Sequence, residues 1–333
     1  MSMVTETSVG IDYHERGVQV CVMSRDGRVE FNRKVKNDID AVVEAIGRGR
    51  TEVTVVAEAC NGSATFLDQL HLRTGWPVRL CHPGYAQRMR ANPDKTDKSD
   101  GELIADLTRV GYLPEVCLAP AAIRDLRALV RYRAAEIDKG RVIKLRIRAL
   151  LRNNRVRPPE GVSLWTIKGR KWLTSDGILE GYSAWVLSRH LREPEHRGAE
   201  VKLVTKRIEE YVKGDPLCQK LIQHKGIGVV TSAIMRSEIG TFSRFKNGKQ
   251  LAHFCGVSPC DRYSDEIVSD SGVIRSGNTL LKSCLTQGAI SLIRHDQAWR
   301  DFARKLTARG KPNGVVICAV ANRWIRRLFH DMK

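Results

Sequence analysis

The sequence predicts an α/β N-terminal domain followed by a basic, mainly helical remainder. Three observations carry that prediction. Residues 8–35 alternate apolar and polar positions in three short runs, and residues 53–57 are almost continuously apolar, as expected of half-buried and fully buried strands. Apolar residues at helical spacing lie between and after these runs. Charge is divided: residues 1–120 hold 15 Lys+Arg against 17 Asp+Glu and the remainder 41 against 20, so the net charge of +19 comes entirely from the C-terminal two thirds. Such a split suits one part that works with carboxylates and another that holds a polyanion.

The first strand covers residues 8–12 and the second 18–23. Arg25-Asp26-Gly27 turns the chain into a third run at 31–35, a hairpin signal. A helix over 38–47 presents Ile39, Val42, Val43 and Ile46 on one face. The apolar run 53–57 ends at Glu58; a helix follows at 63–74 and a short strand at 78–81. Residues 92–107 then read as a loop entering a helix, with Asp97 as its N-cap, Leu103, Ile104 and Leu107 as its apolar positions and Gly111 as its stop. Asp97 and Asp100 share one face of that helix, where two carboxylates repel unless a metal ion or a basic neighbour lies between them. Acids are also favoured at any helix N-terminus, so the pair alone decides nothing.

Asp12 and Glu58 sharpen the question. An acid within Val9-Gly-Ile-Asp12 is costly if buried and unpaired, and a second acid ends the most apolar strand. A shared hard cation would resolve both. The element order, a three-strand meander, then helix, strand, helix, strand, helix, is that of an RNase H-like domain, in which the first strand, the fourth strand and a later helix bring carboxylates together.

From residue 121 the texture changes. Residues 121–157 contain 12 Lys+Arg and 3 acids with an imperfect apolar stripe, which reads as one long basic helix ended by Pro158-Pro159 and interrupted in its heptad by Gly140, half of a coiled coil able to dimerise. Arg146, Arg148, Arg152, Arg155 and Arg157 would reach phosphates along a groove. Residues 160–176 read as a loop in which Trp165 and Trp172 stand among Lys168, Arg170 and Lys171, suited to stacking on bases or to anchoring the loop. Residues 177–213 return to helical periodicity as an antiparallel partner. Further on, Lys225-Gly226-Ile-Gly228 separates two helical runs and resembles a helix-hairpin-helix, whose turn amides can hold a backbone phosphate. The division expected is therefore 1–120 catalytic, 121–215 basic helical, and 216–333 C-terminal.

No apolar run approaches membrane-spanning length, residues 1–7 lack the marks of a signal peptide, and nine cysteines without a CxxC pair fit reduced thiols without structural zinc. The expectation is a soluble, cytoplasmic protein with no membrane partner.

With these pieces placed, the chain resembles the transposases of the insertion-sequence 110 family, relatives of the Piv and MooV invertases. The N-terminal carriers are Gly10-Ile-Asp12, Glu58-Ala59 followed by Gly62, and Lys95-Thr-Asp97-Lys-Ser-Asp100 with Leu107 downstream. The C-terminal carriers run from Glu238-Ile-Gly240 and Phe242 through Phe254-Cys-Gly-Val-Ser-Pro259 and Tyr263-Ser264 to Ser276-Gly-Asn278, Leu280, Leu281 and Gly288-Ala289. The resemblance implies a RuvC-like domain with an Asp-Glu-Asp-Asp quartet, a coiled-coil insertion and a C-terminal transposase domain with an essential serine. By position the quartet is Asp12, Glu58, Asp97 and Asp100, and the serine is Ser264, with Ser269 and Ser271 as rivals. It also implies two Mg²⁺ ions, with Mn²⁺ able to substitute, donor and target DNA, a structured bridge RNA as guide, a dimer or tetramer sharing sites, and a bacterial, nucleoid-associated setting.

The sequence departs from the family at Cys60-Asn61 before Gly62, at Gly101 where Ala is common, and at Asp265-Glu-Ile-Val-Ser-Asp270 where a glycine-rich basic stretch is usual. Two competing readings stand beside the recombinase: a metal-dependent nuclease or junction resolvase that uses water, and a nonenzymatic nucleic-acid-binding protein.

Overall fold

A computed structural model of the chain describes residues 6–89, 96–264, 267–274 and 277–333. It divides into two compact units, Met1–Ala121 and Ala122–Lys333.

The first unit is built on a mixed six-stranded sheet. Its elements are β1 (Thr7–Tyr13), β2 (Gly17–Ser24), β3 (Val29–Lys36), α1 (Ile39–Ile46), β4 (Val53–Glu58), α2 (Ser63–Thr74), β5 (Val78–Cys81), α3 (Pro83–Arg88), α4 (Asp97–Arg109) and β6 (Glu115–Val116). The strand order is β3-β2-β1-β4-β5-β6, with β1 antiparallel to β2 and parallel to β4. Central β1 is consistent with the expected RNase H-like arrangement. The hairpin turn forms as read, with Gly27 at φ 88°. Two elements went unread: α3, and the two-residue β6, which pairs antiparallel with β5.

Strand alternation sorts the two faces. Val9, Ile11, Val18, Val20, Val55 and Ala57 bury against Val42, Ile46, Phe66, Leu67 and Leu70 of α1 and α2. On the opposite face Cys21 and Met23 meet Ala105, while Val56 and Cys81 meet Ile104 and Leu107, so α4 lies across the sheet there. Gly10 permits this approach. A methyl at that position would stand 2.5 Å from the Ala105 backbone nitrogen and closer still to the Gly101 carbonyl oxygen.

The second unit comprises α5 (Ala121–Asn153), α6 (Ile167–Leu173), α7 (Gly181–Gly214), α8 (Pro216–Ile222), α9 (Val229–Ile239), α10 (Gly248–Phe254), β7 (Pro259–Ser264), β8 (Ile267–Val273), α11 (Thr279–His295), α12 (Gln297–Ala308) and α13 (Asn313–Met332). Helices α5 and α7 run antiparallel: Arg133 Nε donates to Thr205 Oγ1 (2.8 Å), Tyr132 to Glu200 (3.1 Å), and Arg197 to the buried Glu136 (2.6 Å). One end of the pair is rooted through Leu126, Val130, Val204 and Ile208 in the main C-terminal core. The other end closes a small core of Ile143, Ile147, Leu151, Leu173, Leu179 and Leu187.

Two boundaries differ from the sequence reading. Helix α5 stops at Asn153, before Pro158, and the chain leaves it through Arg155 at φ 55°. The expected loop at 160–176 contains α6, because Thr166 caps it by accepting from the Gly169 N–H. Gly140 does not break α5.

Candidate active site

Asp12 stands near the C-terminal end of β1 and Glu58 is the last residue of β4. These strands pair in parallel with Ile11 opposite Ala57, so Asp12 and Glu58 occupy the next row, on the face that α4 covers. Asp12 is buried to 8% exposure. Gly62, at φ 92°, fixes the turn after Glu58: a side chain there would strike the Tyr13 ring, 2.7 Å from its hydroxyl.

Helix α4 supplies the other two acids. Its cap is Thr96, not Asp97 as expected, because Thr96 Oγ1 accepts from the Ser99 N–H (3.1 Å) while Ser99 Oγ accepts from the Thr96 N–H (3.0 Å). Asp97 therefore enters the first helical turn with its carboxylate free of capping duty. Asn32 secures that turn to the sheet, donating to the Lys98 carbonyl (3.1 Å) and accepting from Gln19 (2.7 Å). Asp100 is buried on the sheet side of α4 at 9% exposure. Asn92 and Asp94 lie outside the described residues.

Basic neighbours of Asp12 and Asp97 are present, and the sequence reading missed them. His14 Nε2 lies 3.1 Å from Asp12 Oδ2 and 3.6 Å from Asp97 Oδ1, and Lys34 Nζ lies 3.3 Å from Asp97 Oδ2. The available signal was spacing: His14 is two residues beyond Asp12, and Lys34 lies in the strand next to β2. Burial pushes the Cys60 thiol upward against hydrogen bonds with Ser63 that lower it, and the charges of Glu58 and Asp12 add to the rise.

Asp12, His14 and Asp97 each offer one ligating atom, and these lie within 4.8 Å of one another. Adjacent donors around an octahedral ion with bonds of about 2.1 Å are separated by about 3.0 Å, which the 3.1 and 3.6 Å separations from His14 Nε2 approach.

The second unit places the other named residues. Arg148, Arg152, Arg155 and Arg157 line one groove of about 840 Å³ with Leu151 and Leu164, whereas Arg146 does not. Lys144 and Arg148 lie over the Trp165 ring, at 5.4 and 5.8 Å from its centre. Lys168, Arg170 and Lys171 ride on α6. Lys225 pairs with Asp296 at 2.9 Å. A methyl on Gly226 would come within 3.2 Å of Leu292 and Trp324, giving that glycine a packing role; Gly228 caps α9 with open space beside it.

Ser264 ends β7 opposite Ile267, Ser269 in β8 faces Arg262 across the hairpin, and Ser271 follows in β8. Their side chains, and residues 265–266 entirely, lie outside what the structure describes. At the hairpin root a groove of about 740 Å³ runs between Pro259, Gly272 and Val273 and the Lys311, Arg323, Arg326 and Arg327 side chains. Asn322 ties α13 to this root by donating to the Val257 carbonyl (3.2 Å). Among the described residues none of these four cations forms an ion pair. The sequence reading missed them too, although 323, 326 and 327 have the spacing of one helix face.

Comparison with known proteins decides the family. Residues 9–154 match a transposase family model of the DEDD type in the IS110 group, and residues 218–304 match the transposase IS116/IS110/IS902 family. The chain belongs to the insertion-sequence 110 family of transposases. Similar full-length relatives include a putative transposase of Sinorhizobium fredii, 24% identical over 95% of this chain and 86% of its own, and a probable family 20 transposase of Pseudomonas aeruginosa, 25% identical over 96% and 95%. The transposase for an insertion sequence element of Coxiella burnetii is 24% identical over 86% of this chain and 78% of its own. Membership marks the chain as a DNA-cutting and rejoining enzyme, which sets aside the nonenzymatic reading. No described helix is long and apolar enough to cross a membrane.

Proposed function

We propose that this transposase cuts and rejoins donor and target DNA strands at a site formed by Asp12, Glu58, Asp97 and Asp100. The observation that carries the reading is the placement of α4: it brings Asp97 and Asp100 over the sheet face on which Asp12 and Glu58 share a row. Divalent cations, Mg²⁺ foremost, bound by these acids as a two-ion site would stabilise the attacking and leaving oxygens of the scissile phosphate. Lys34 orients Asp97, and Gly10 lets the helix that carries it lie close.

The Ser264 hydroxyl is the nucleophile in this reading. Its Oγ bonds to phosphorus as the bond to the leaving strand breaks; the hydroxyl gives up a proton and the leaving oxygen gains one. The phosphoserine linkage conserves the bond energy for rejoining. Ser269 and Ser271 are its rivals on the same hairpin. The groove lined by Arg148, Arg152, Arg155 and Arg157 and the α6 cations Lys168, Arg170 and Lys171 track phosphates, with residues 121–215 acting as a basic helical module between the catalytic and C-terminal parts. Family resemblance supports guidance by a structured bridge RNA and a homo-oligomer that shares sites between subunits in the bacterial cytoplasm.

Asp12→Asn tests the site: strand cleavage in Mg²⁺ should disappear, and unchanged cleavage would sink the reading. Ser264→Ala should abolish covalent protein–DNA adducts; cleavage that persists without them identifies water as the attacker. Sequencing of copurified RNA should yield one discrete structured species, whereas bulk cellular RNA would overturn guidance.

A further inference from the structure

We propose that His14 is a metal ligand, and that its nitrogen shifts this site toward Mn²⁺ and away from Mg²⁺. The inference rests on the carboxylate site proposed above and adds a donor outside the quartet. One atom, Nε2, faces both Asp12 Oδ2 at 3.1 Å and Asp97 Oδ1 at 3.6 Å. These separations approach the roughly 3.0 Å between adjacent donors of an octahedral ion.

The surroundings hold that geometry. Lys34 engages Oδ2 of Asp97 at 3.3 Å, which leaves Oδ1 turned toward His14. Asn37 donates to the backbone carbonyls of His14 (3.0 Å) and Glu15 (3.2 Å), fixing the turn that carries the imidazole. The ring is half exposed, so a cation can reach it from solvent. A neutral imidazole would offer the Nε2 lone pair to such an ion.

The donor set then dictates preference. Mg²⁺ favours oxygen ligands and gives up water reluctantly. Affinity for nitrogen-containing sites rises along the first-row divalent ions, a series that Mn²⁺ opens while still taking the carboxylate oxygens that suit Mg²⁺. An all-carboxylate site lacks this bias.

The test uses the full chain without nucleic acid, titrated with Mn²⁺ alone and with Mg²⁺ alone. Pulsed electron paramagnetic resonance of the bound Mn²⁺ should show coupling to one imidazole nitrogen. His14→Asn, which substitutes an oxygen donor, and His14→Ala should both lose that coupling while circular dichroism stays unchanged. Calorimetry should show the preference for Mn²⁺ over Mg²⁺ falling about tenfold or more in both variants. Mn²⁺ binding that Asp12→Asn abolishes, but that carries no nitrogen coupling in the wild type, overturns the inference and leaves the carboxylate site standing. Coupling that persists in His14→Ala overturns it by assigning the nitrogen elsewhere. An absence of Mn²⁺ binding, or binding indifferent to Asp12→Asn, overturns the carboxylate site and this inference together.

Discussion

Gly10→Ala should disable the enzyme without touching any of its acids. The added methyl would lie 2.5 Å from the Ala105 nitrogen and nearer to the Gly101 carbonyl oxygen, both backbone atoms of α4 that no rotamer change can move aside. Ordinary contact needs about 3.5 Å, so α4 must retreat from β1 by more than about 1 Å. That helix carries Asp97 and Asp100, whereas Asp12 stays on the strand. A misplacement of about 1 Å can cost about 100-fold in rate, and such overpacking costs about 1–3 kcal/mol of stability. Gly101→Ala is the matched control on the other side of the same contact. Its methyl would meet Cys21, Gln19 and Gly10 at 3.5–3.6 Å, ordinary contact distances, and Ala is the better helix former by about 1 kcal/mol. Strand cleavage and urea unfolding of both variants check the argument. It predicts loss of both properties in Gly10→Ala and full activity with raised stability in Gly101→Ala. Wild-type behaviour of Gly10→Ala, or equal damage from the two, would refute it.

Two further outcomes follow from the second unit. Burial alone would raise the Asp215 carboxyl, but hydrogen bonds from Arg236, from the Cys218 N–H and from Tyr211 hold it below the ordinary range. Its contribution is therefore complete above the unfolded value of about 3.9 and is lost as pH falls through the lower folded value. Urea midpoints should drop below about pH 4; Asp215→Asn should lower stability near pH 7 by about 2 kcal/mol and flatten that acid limb. Replacing Arg323, Arg326 and Arg327 together by Gln should reduce the salt dependence of duplex DNA binding by about 2.7 in logarithmic slope, at about 0.9 per phosphate contact. An unchanged slope in fluorescence anisotropy would show that the α13 groove holds no backbone.

The sheet was legible because its strands obey two simple rules. Runs that alternate became β1 to β3 and the continuous run became β4, although β1 and β2 prove as buried on both faces as β4. The carboxylates were legible because an acid inside an apolar strand demands an explanation. His14 and Lys34 were not, since each sits beside Asp97 only through pairing of segments distant in sequence. Thr96 displaced Asp97 as cap for a local reason: a capping box with Ser99 satisfies two backbone groups, whereas an Asp cap satisfies one. In the second unit, Pro158-Pro159 looked like the end of α5, but Arg155, left-handed and two residues past the helix, had already turned the chain.

The antiparallel pair of α5 and α7 also sets a distance. Helix α5 is 33 residues long, about 50 Å at 1.5 Å per residue. Leu126 is anchored in the C-terminal core and Arg152 lies at the basic groove, about 39 Å further along the same rod. The pair thus works as a spacer that holds the basic groove about 39 Å from the C-terminal core. Lengthening both helices by one matched turn would move that groove about 5.4 Å further from the core.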